Sequence, residues 1–355
     1  MLPPVLNPLP SICTLPNETL ELVFDELSRT DLTSIIRTTS FFHNVASRVL
    51  YRSITELSSA RAVQVVKILS QSDKYPLFVR HIELAWIEVH ITGNLLRLLN
   101  RTLRRLRLLT TLAIEFSSFD NNANISWIFD GCSSLALRSF TTSVKCDNDL
   151  ASFLSTQTRL VDLSLRSNDF AADFHLPTTA LPNLNAFRTV LPCPHVTAAV
   201  LRDRPVETVS LSLSSGETIP SLDALLLSAA VMKRLTIMSF GAEEPKMLIP
   251  EIAKRLPGLE ALHIMILMAP PSQGLLIDSG SSLSLFTNLH YLTFMAPGIP
   301  ASTEDERSVA TAWHRACPTL RTIILPKGIV WFRSEGNWTS WSDEEPRDEA
   351  KEPQA

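Results

Sequence analysis

The sequence predicts an α/β chain in which a short helical segment precedes a long array of about ten strand–helix units. Three observations carry this. An apolar-x-x-apolar-x-apolar pattern recurs from Val79 to Leu325. Several copies share a proline-containing lead-in. Residues 15–51, in contrast, carry apolar side chains at helical spacing. A period within roughly 20–50 residues marks a stacked array, although a length of 355 residues would also accommodate two ordinary domains.

Residues 1–14 are proline-rich and are expected to be extended or disordered. Residues 15–52 read as three short helices. Leu20, Val23, Phe24 and Leu27 fall at i, i+3, i+4 and i+7, one apolar stripe. Pro16 and Asn17 suit the first turn, with Glu18 and Glu21 at the positive end of the helix dipole. Thr30 is placed to cap a second helix carrying Leu32, Ile35 and Ile36. Ser40 is placed to cap a third carrying Phe42, Val45, Ala46 and Val49. So short a segment cannot bury a core alone. Its surplus apolar surface must meet the rest of the chain or another protein. Residues 53–78 are expected to form a helical linker, with Val63, Val66 and Ile68 near one face of a helix from Ser59 to Gln71.

The clearest copies of the repeat are Leu160/Leu163/Leu165, Leu259/Leu262/Ile264, Leu289/Leu292/Phe294 and Leu320/Ile323/Leu325. Looser copies begin at Val79, Leu109, Leu137, Leu184, Val206 and Met232. Their spacing averages about 27 residues, within or slightly beyond the range for short strand–helix repeats. Leu181-Pro-Asn-Leu184, Leu256-Pro-Gly-Leu259 and Cys317-Pro-Thr-Leu320 place a proline two residues before the strand pattern. Proline stops the preceding helix and favours extended geometry beside it. Ile249, Ile252, Ala253 and Leu256 form one helical stripe; Val309, Ala312, Trp313 and Ala316 form another. No unit hides its apolar side alone, so neighbours must stack into a curved solenoid. A globular α/β sandwich is the competing architecture. Trp331, Phe332, Trp338 and Trp341 in residues 329–341 read as an aromatic cap on the last unit, or alternatively as a partner-binding segment. Residues 342–355 are acidic and are expected to be disordered.

In the helical segment, Leu15-Pro16, Glu18, Leu20, Phe24, Leu27, Asp31-Leu32 and Ile36 resemble the F-box motif in identity and spacing. The third helix follows a looser form, Thr39-Ser40-Phe41-Phe42-His43, with Phe42 in the aromatic place. The strand pattern resembles the irregular leucine-rich repeats of F-box proteins, including large fungal families, although most copies lack the usual Asn after the strand. The resemblance implies an F-box at 15–52 and a leucine-rich-repeat horseshoe at 79–328. It also implies a non-catalytic substrate receptor of a Skp–cullin–F-box ubiquitin ligase. Leu15, Pro16, Leu20, Phe24, Leu27, Leu32 and Ile36 would then serve the Skp-type adaptor, some of them instead forming the small bundle's own core. A cullin would be reached through the adaptor, and the repeats would hold a target protein. The expected setting is cytoplasmic, nuclear or both. A non-ligase interaction scaffold and a small-molecule-gated receptor remain as alternatives.

Composition narrows the classes. The net charge of −4 gives no global pull toward nucleic acid or anionic membrane. The five cysteines lack any Cys-x-x-Cys spacing, which fits a reducing compartment. Residues 1–11 have no basic n-region and are broken by prolines, a poor signal peptide. No apolar run reaches the roughly 18 residues of a membrane helix. No phosphate-binding glycine loop, nucleophile elbow or zinc-protease motif occurs. The histidines lack ligand spacing, so no cofactor and no metal are expected. Cys146 with Asp147 and Asp149 reads as a turn before a helix rather than a nucleophile. Arg97, Arg101, Arg104, Arg105 and Arg107 read as a solvated helix face, with an acidic partner as the alternative.

Residues between the inward apolar positions point to the opposite face of the sheet. In the middle copies these include Arg166, Arg188 and Arg234, read as a row of guanidiniums able to grip carboxylate or phosphate. In the later copies they include Met238, His263, Met265, Tyr291 and Met295, an adaptable apolar surface. Together they are expected to bind the target. The competing reading is that the arginines pair internally and the methionines lie under loops. The segments 116–125, 166–183 and 268–283 are placed to rim or cover this surface.

Overall fold

A computed structural model describes residues 12, 15–87, 90–117, 124–167, 170–191, 193–214, 216–239, 245–267, 273–297, 302–334 and 337–340. The expected disordered ends, apart from Ile12, lie outside these residues, as do Trp341 and parts of the three rim segments. The chain divides into two compact units, Met1–Lys145 and Cys146–Ala355. The boundary falls between the third and fourth copies of the repeat.

The strand pattern translates into structure with little variation. All three apolar positions in every copy are at most 4 % exposed. In each copy the strand begins two residues after the first apolar position, as at Val79 and His81 or Leu259 and Ala261. Side chains alternate faces along a strand, so one face is buried and the other carries the intervening residues.

In the first unit, three helices, α1 (Asn17–Asp25), α2 (Arg29–Ile35) and α3 (Ser40–Arg52), pack around Leu20, Phe24, Leu32, Val45, Ala46 and Val49. The caps differ from expectation. Ser28, not Thr30, accepts from the Asp31 amide at the start of α2, and Thr39, not Ser40, accepts from the Phe42 amide at the start of α3. In each case the residue one or two positions earlier has the extended backbone that an N-cap requires. The α1 stripe is narrower than its spacing implies, because Val23 is exposed. On the polar side, Arg48 and Arg52 of α3 pair with Glu21 at 3.3 and 3.0 Å, and Arg52 reaches Asp25 at 2.5 Å.

Helix α3 runs straight into β1 (Ser53–Ile54), so these residues begin a sheet rather than a helical linker. Helix α4 (Ser59–Gln71) follows. It buries Ala62, Val66 and Leu69 and exposes Ile68, which lies beyond its buried arc. Then come β2 (His81–Trp86), α5 (Gly93–Leu103), β3 (Thr111–Phe116), a single 3-10 turn at Ser126–Phe129 and β4 (Ser139–Thr142). The four strands are parallel and pair without slip, His81 with Thr111 and Thr111 with Ser139. Leu96, Leu99 and Leu103 are the buried side of α5.

The second unit contains α6 (Asn148–Thr156), β5 (Asp162–Leu165), β6 (Ala186–Thr189), α7 (Pro194–Leu201), β7 (Thr208–Leu213), α8 (Thr218–Leu225), β8 (Arg234–Ser239), α9 (Pro245–Arg255), β9 (Ala261–Ile266), α10 (Gln273–Ser279), β10 (Tyr291–Met295), α11 (Thr303–Ala316) and β11 (Thr322–Ile324). Strands β5 to β11 are parallel and again in register, joining Asp162, Ala186, Thr208, Arg234, Ala261, Tyr291 and Thr322 across the sheet. Not every unit has a helix: none occurs among the described residues joining β5 to β6, a stretch containing Pro177 and Pro182. Helices cover the buried face, as the edge-to-face contact of Trp313 on α11 with Phe294 on β10 illustrates. In α11 it is Ala310 rather than Ala312 that joins Val309 and Trp313 in the buried stripe.

After β11 the chain turns back. Strands β12 (Val330–Ser334) and β13 (Asn337–Ser340) add an antiparallel hairpin. Trp331 and Trp338 are buried in it. Glu306 of α11, itself buried, accepts from the Lys327 amide at 2.9 Å and from the Trp331 indole at 3.2 Å. A buried carboxylate is tolerable only with such donors.

Candidate functional site

Two surfaces bear the residues singled out in the sequence. The first is the three-helix bundle. Leu20, Phe24 and Leu32 are 0, 3 and 4 % exposed, so they form its core and offer no contact surface. Leu27 and Ile36 are half-buried at the core's edge, with Ile35 and Phe41 beside them. Leu15 is 40 % exposed and Pro16 is exposed. Two residues absent from the expected set are fractionally more exposed than Leu15: Leu22 at 69 % and Val23 at 46 %. Their signal was present in the sequence, as leucine and valine within a nine-residue helix that has only one small core to fill.

The second surface is the face of the β5–β11 sheet opposite the helices, where Ser164, Ser212 and Ala261 are buried and Met238, Met265 and Met295 half-buried. Its side chains form three rows. The first carries Asp162, Ala186, Thr208, Arg234, Ala261, Tyr291 and Thr322. The second carries Ser164, Arg188, Ser210, Thr236, His263, Thr293 and Ile324. The third brings Ser212, Met238, Met265 and Met295 side by side on β7 to β10.

The expected row of guanidiniums does not form. Arg188 and Arg234 lie in different rows and on strands separated by β7. Arg188 is neutralised by Asp162 on the adjacent strand, 2.8 Å away. Arg166 follows β5 and interacts within the chain. Arg234 differs: it is exposed and makes no ion pair among the described residues. It lines a groove of ≈ 260 Å³ together with Glu260, His263, Tyr291, Thr293 and Thr322. His263 shares a hydrogen bond of 2.9 Å with the Thr293 hydroxyl. Burial, and then the positive charge of Arg234, hold the His263 imidazole below its ordinary pKa. Both effects favour the neutral ring.

The basic run around α5 is partly structural. Arg104 donates to the Asp130 carbonyl at 2.9 Å. Arg105 donates to the carbonyls of Ser70 and Ser72 at 3.2 and 2.8 Å and pairs with Asp73. Cys146 is buried and Asp147 caps α6. Among the described residues, no cluster of His, Cys, Asp and Glu is placed to hold a metal, and no helix is long and apolar enough to cross a membrane.

No protein-family model matches the chain, and no curated protein matches its sequence.

Proposed function

We propose that the chain is a non-catalytic substrate receptor of a Skp–cullin–F-box ubiquitin ligase, with residues 15–52 acting as the F-box and the strand–helix array as leucine-rich repeats. The observation that carries this reading is the incomplete burial of the bundle. Leu15, Leu22 and Val23 are exposed around a core whose edge residues, Leu27 and Ile36, are only half covered. Burying such a surface against an adaptor helix supplies about 25 cal/mol per Å² of apolar area. The face of the β5–β11 sheet opposite the helices then holds a target. The work done is positional: the assembly raises the effective concentration of a target lysine near a charged conjugating enzyme.

The test separates surface from core. Val23→Asp places a charge on the exposed face, so the receptor stays folded and loses capture of a Skp-type adaptor and its cullin. Leu32→Asp is unsuitable alone, because Leu32 is a core residue and its charge unfolds the bundle. Unchanged adaptor capture by folded Val23→Asp and Leu22→Asp variants removes the ligase reading and leaves an interaction scaffold. The small-molecule-gated alternative draws no support from the groove geometry, since Arg166 and Arg188 do not line the groove beside Arg234.

A further inference from the structure

We infer that the groove between β8 and β11 binds an extended protein segment carrying a carboxylate side chain four residues from a bulky apolar one. This deepens the reading of the sheet face opposite the helices as the target surface and rests on it.

Three nearby cations are matched by carboxylates of the chain: Arg188 on β6 by Asp162 at 2.8 Å, Lys233 beside β8 by Glu207 at 2.9 Å, and Arg255 on α9 by Asp223 at 2.7 Å and Glu251 at 2.5 Å. Arg234 has no such match among the described residues, although it sits in the groove rather than at the margin of the sheet. Glu260 lines the same groove but makes no ion pair with it, and its field acts on Lys233. A guanidinium presents a planar fork suited to a carboxylate. One unpaired cation beside one acid favours a singly charged carboxylate. A phosphate, with nearly two charges at neutral pH, is repelled by Glu260 more strongly than a carboxylate is.

Register supplies the rest. Moving along β9 from the Arg234 row, the surface passes from Ala261 to His263 and then to Met265. The middle row, Thr236, His263 and Thr293, offers hydrogen-bonding groups to a ligand backbone. The last row, Met238, Met265 and Met295, is an apolar strip that adapts to the shape of what it meets. Ala261 and Met265 are four residues apart, or about 13 Å at strand rise. An extended ligand running beside the strands spans that distance in the same four residues, with both side chains on one face. Tyr291, half exposed next to Ala261, walls the carboxylate end.

The experiment is panning of a displayed nonapeptide library on the full chain without adaptor, so that a failed adaptor contact leaves it unaffected. Enriched peptides carry Asp or Glu four positions from Leu, Ile, Met or Phe. Arg234→Glu weakens the best peptide by about tenfold or more, Met265→Glu weakens it as well, and Arg188→Glu leaves it unchanged. Replacing the peptide's Glu with phosphoserine weakens binding. The assignment is overturned by no enrichment, by enrichment without an acid, by retained affinity in Arg234→Glu, or by tighter binding of the phosphopeptide. A simple alkyl carboxylate that displaces every peptide at equal concentration likewise overturns the protein-segment assignment.

Discussion

Replacing Arg204 with Met tests how the array tolerates a missing helix. The connection from β5 to β6 has no helix among its described residues, so its carbonyls need donors from elsewhere. Arg204, only 1 % exposed, provides them. Its guanidinium donates to the carbonyls of Pro177 and Ala180 at 2.7 and 2.8 Å, and to those of Ala199, Val200 and Arg202 at 2.8, 3.1 and 3.0 Å. One side chain thereby ties that connection to the end of α7. Burial lowers its pKa from the ordinary value, with Asp203 opposing, and the group remains a cation. The bonds to Ala180 and Val200 are fully buried and the other three partly so. An orphaned buried acceptor costs about 1–3 kcal/mol, and water restores much of the rest. Arg204→Met, which keeps the apolar stem, is therefore expected to destabilise the second unit by about 2–6 kcal/mol. That lowers its calorimetric midpoint by roughly 10 °C. Arg204→Lys, lacking the planar fork, falls between the two. Urea unfolding of Arg204→Met within about 1 kcal/mol of the parent refutes the staple.

Two further outcomes are expected. In Gly280→Ala the new Cβ would lie 2.7 Å from Trp313 Cδ1, and the buried indole, held by its bond to the Leu276 carbonyl at 2.7 Å, has little room to move. The variant should lose about 1–3 kcal/mol, measured by urea unfolding, with a shifted tryptophan fluorescence. Acid should destabilise the second unit through His263 and His314, whose pKa values burial lowers from 6.5. Their folded states favour the neutral ring, so this contribution is complete above the ordinary value and is lost as pH falls through the lowered one. A midpoint-against-pH curve for His263→Gln should be flatter on the acid side than that of the parent.

The repeat was legible because stacking demands burial at fixed positions, and a three-position pattern repeated ten times is read without knowing any contact. The Met238, Met265 and Met295 row followed from equal offsets within their copies. The pairing of Arg188 with Asp162 did not, because it runs diagonally between two copies and needs the register before it becomes visible. Arg204 left no trace in the sequence: its acceptors are main-chain carbonyls, which every residue has. Glu306 did leave one, a charge three positions before Val309 on an otherwise apolar helix face. The caps at Ser28 and Thr39 were missed by one or two residues, since adjacent Ser and Thr residues are chemically interchangeable until the backbone angles are known. On the bundle, Leu20, Phe24 and Leu32 among the motif-like positions proved to be core, and the most exposed apolar side chains are Leu22 and Val23, whose exposure depends on how three helices close on each other.

A foreign subunit that completes the bundle at residues 15–52 is the central requirement of the proposed function. Hydrogen exchange on the purified chain, with and without a purified Skp-type adaptor, measures this directly. The expected result is a stable complex in which amides of α1 and α2 gain protection while those of β5 to β11 do not change. Exchange that is identical across residues 15–52 at adaptor concentrations well into the micromolar range contradicts it.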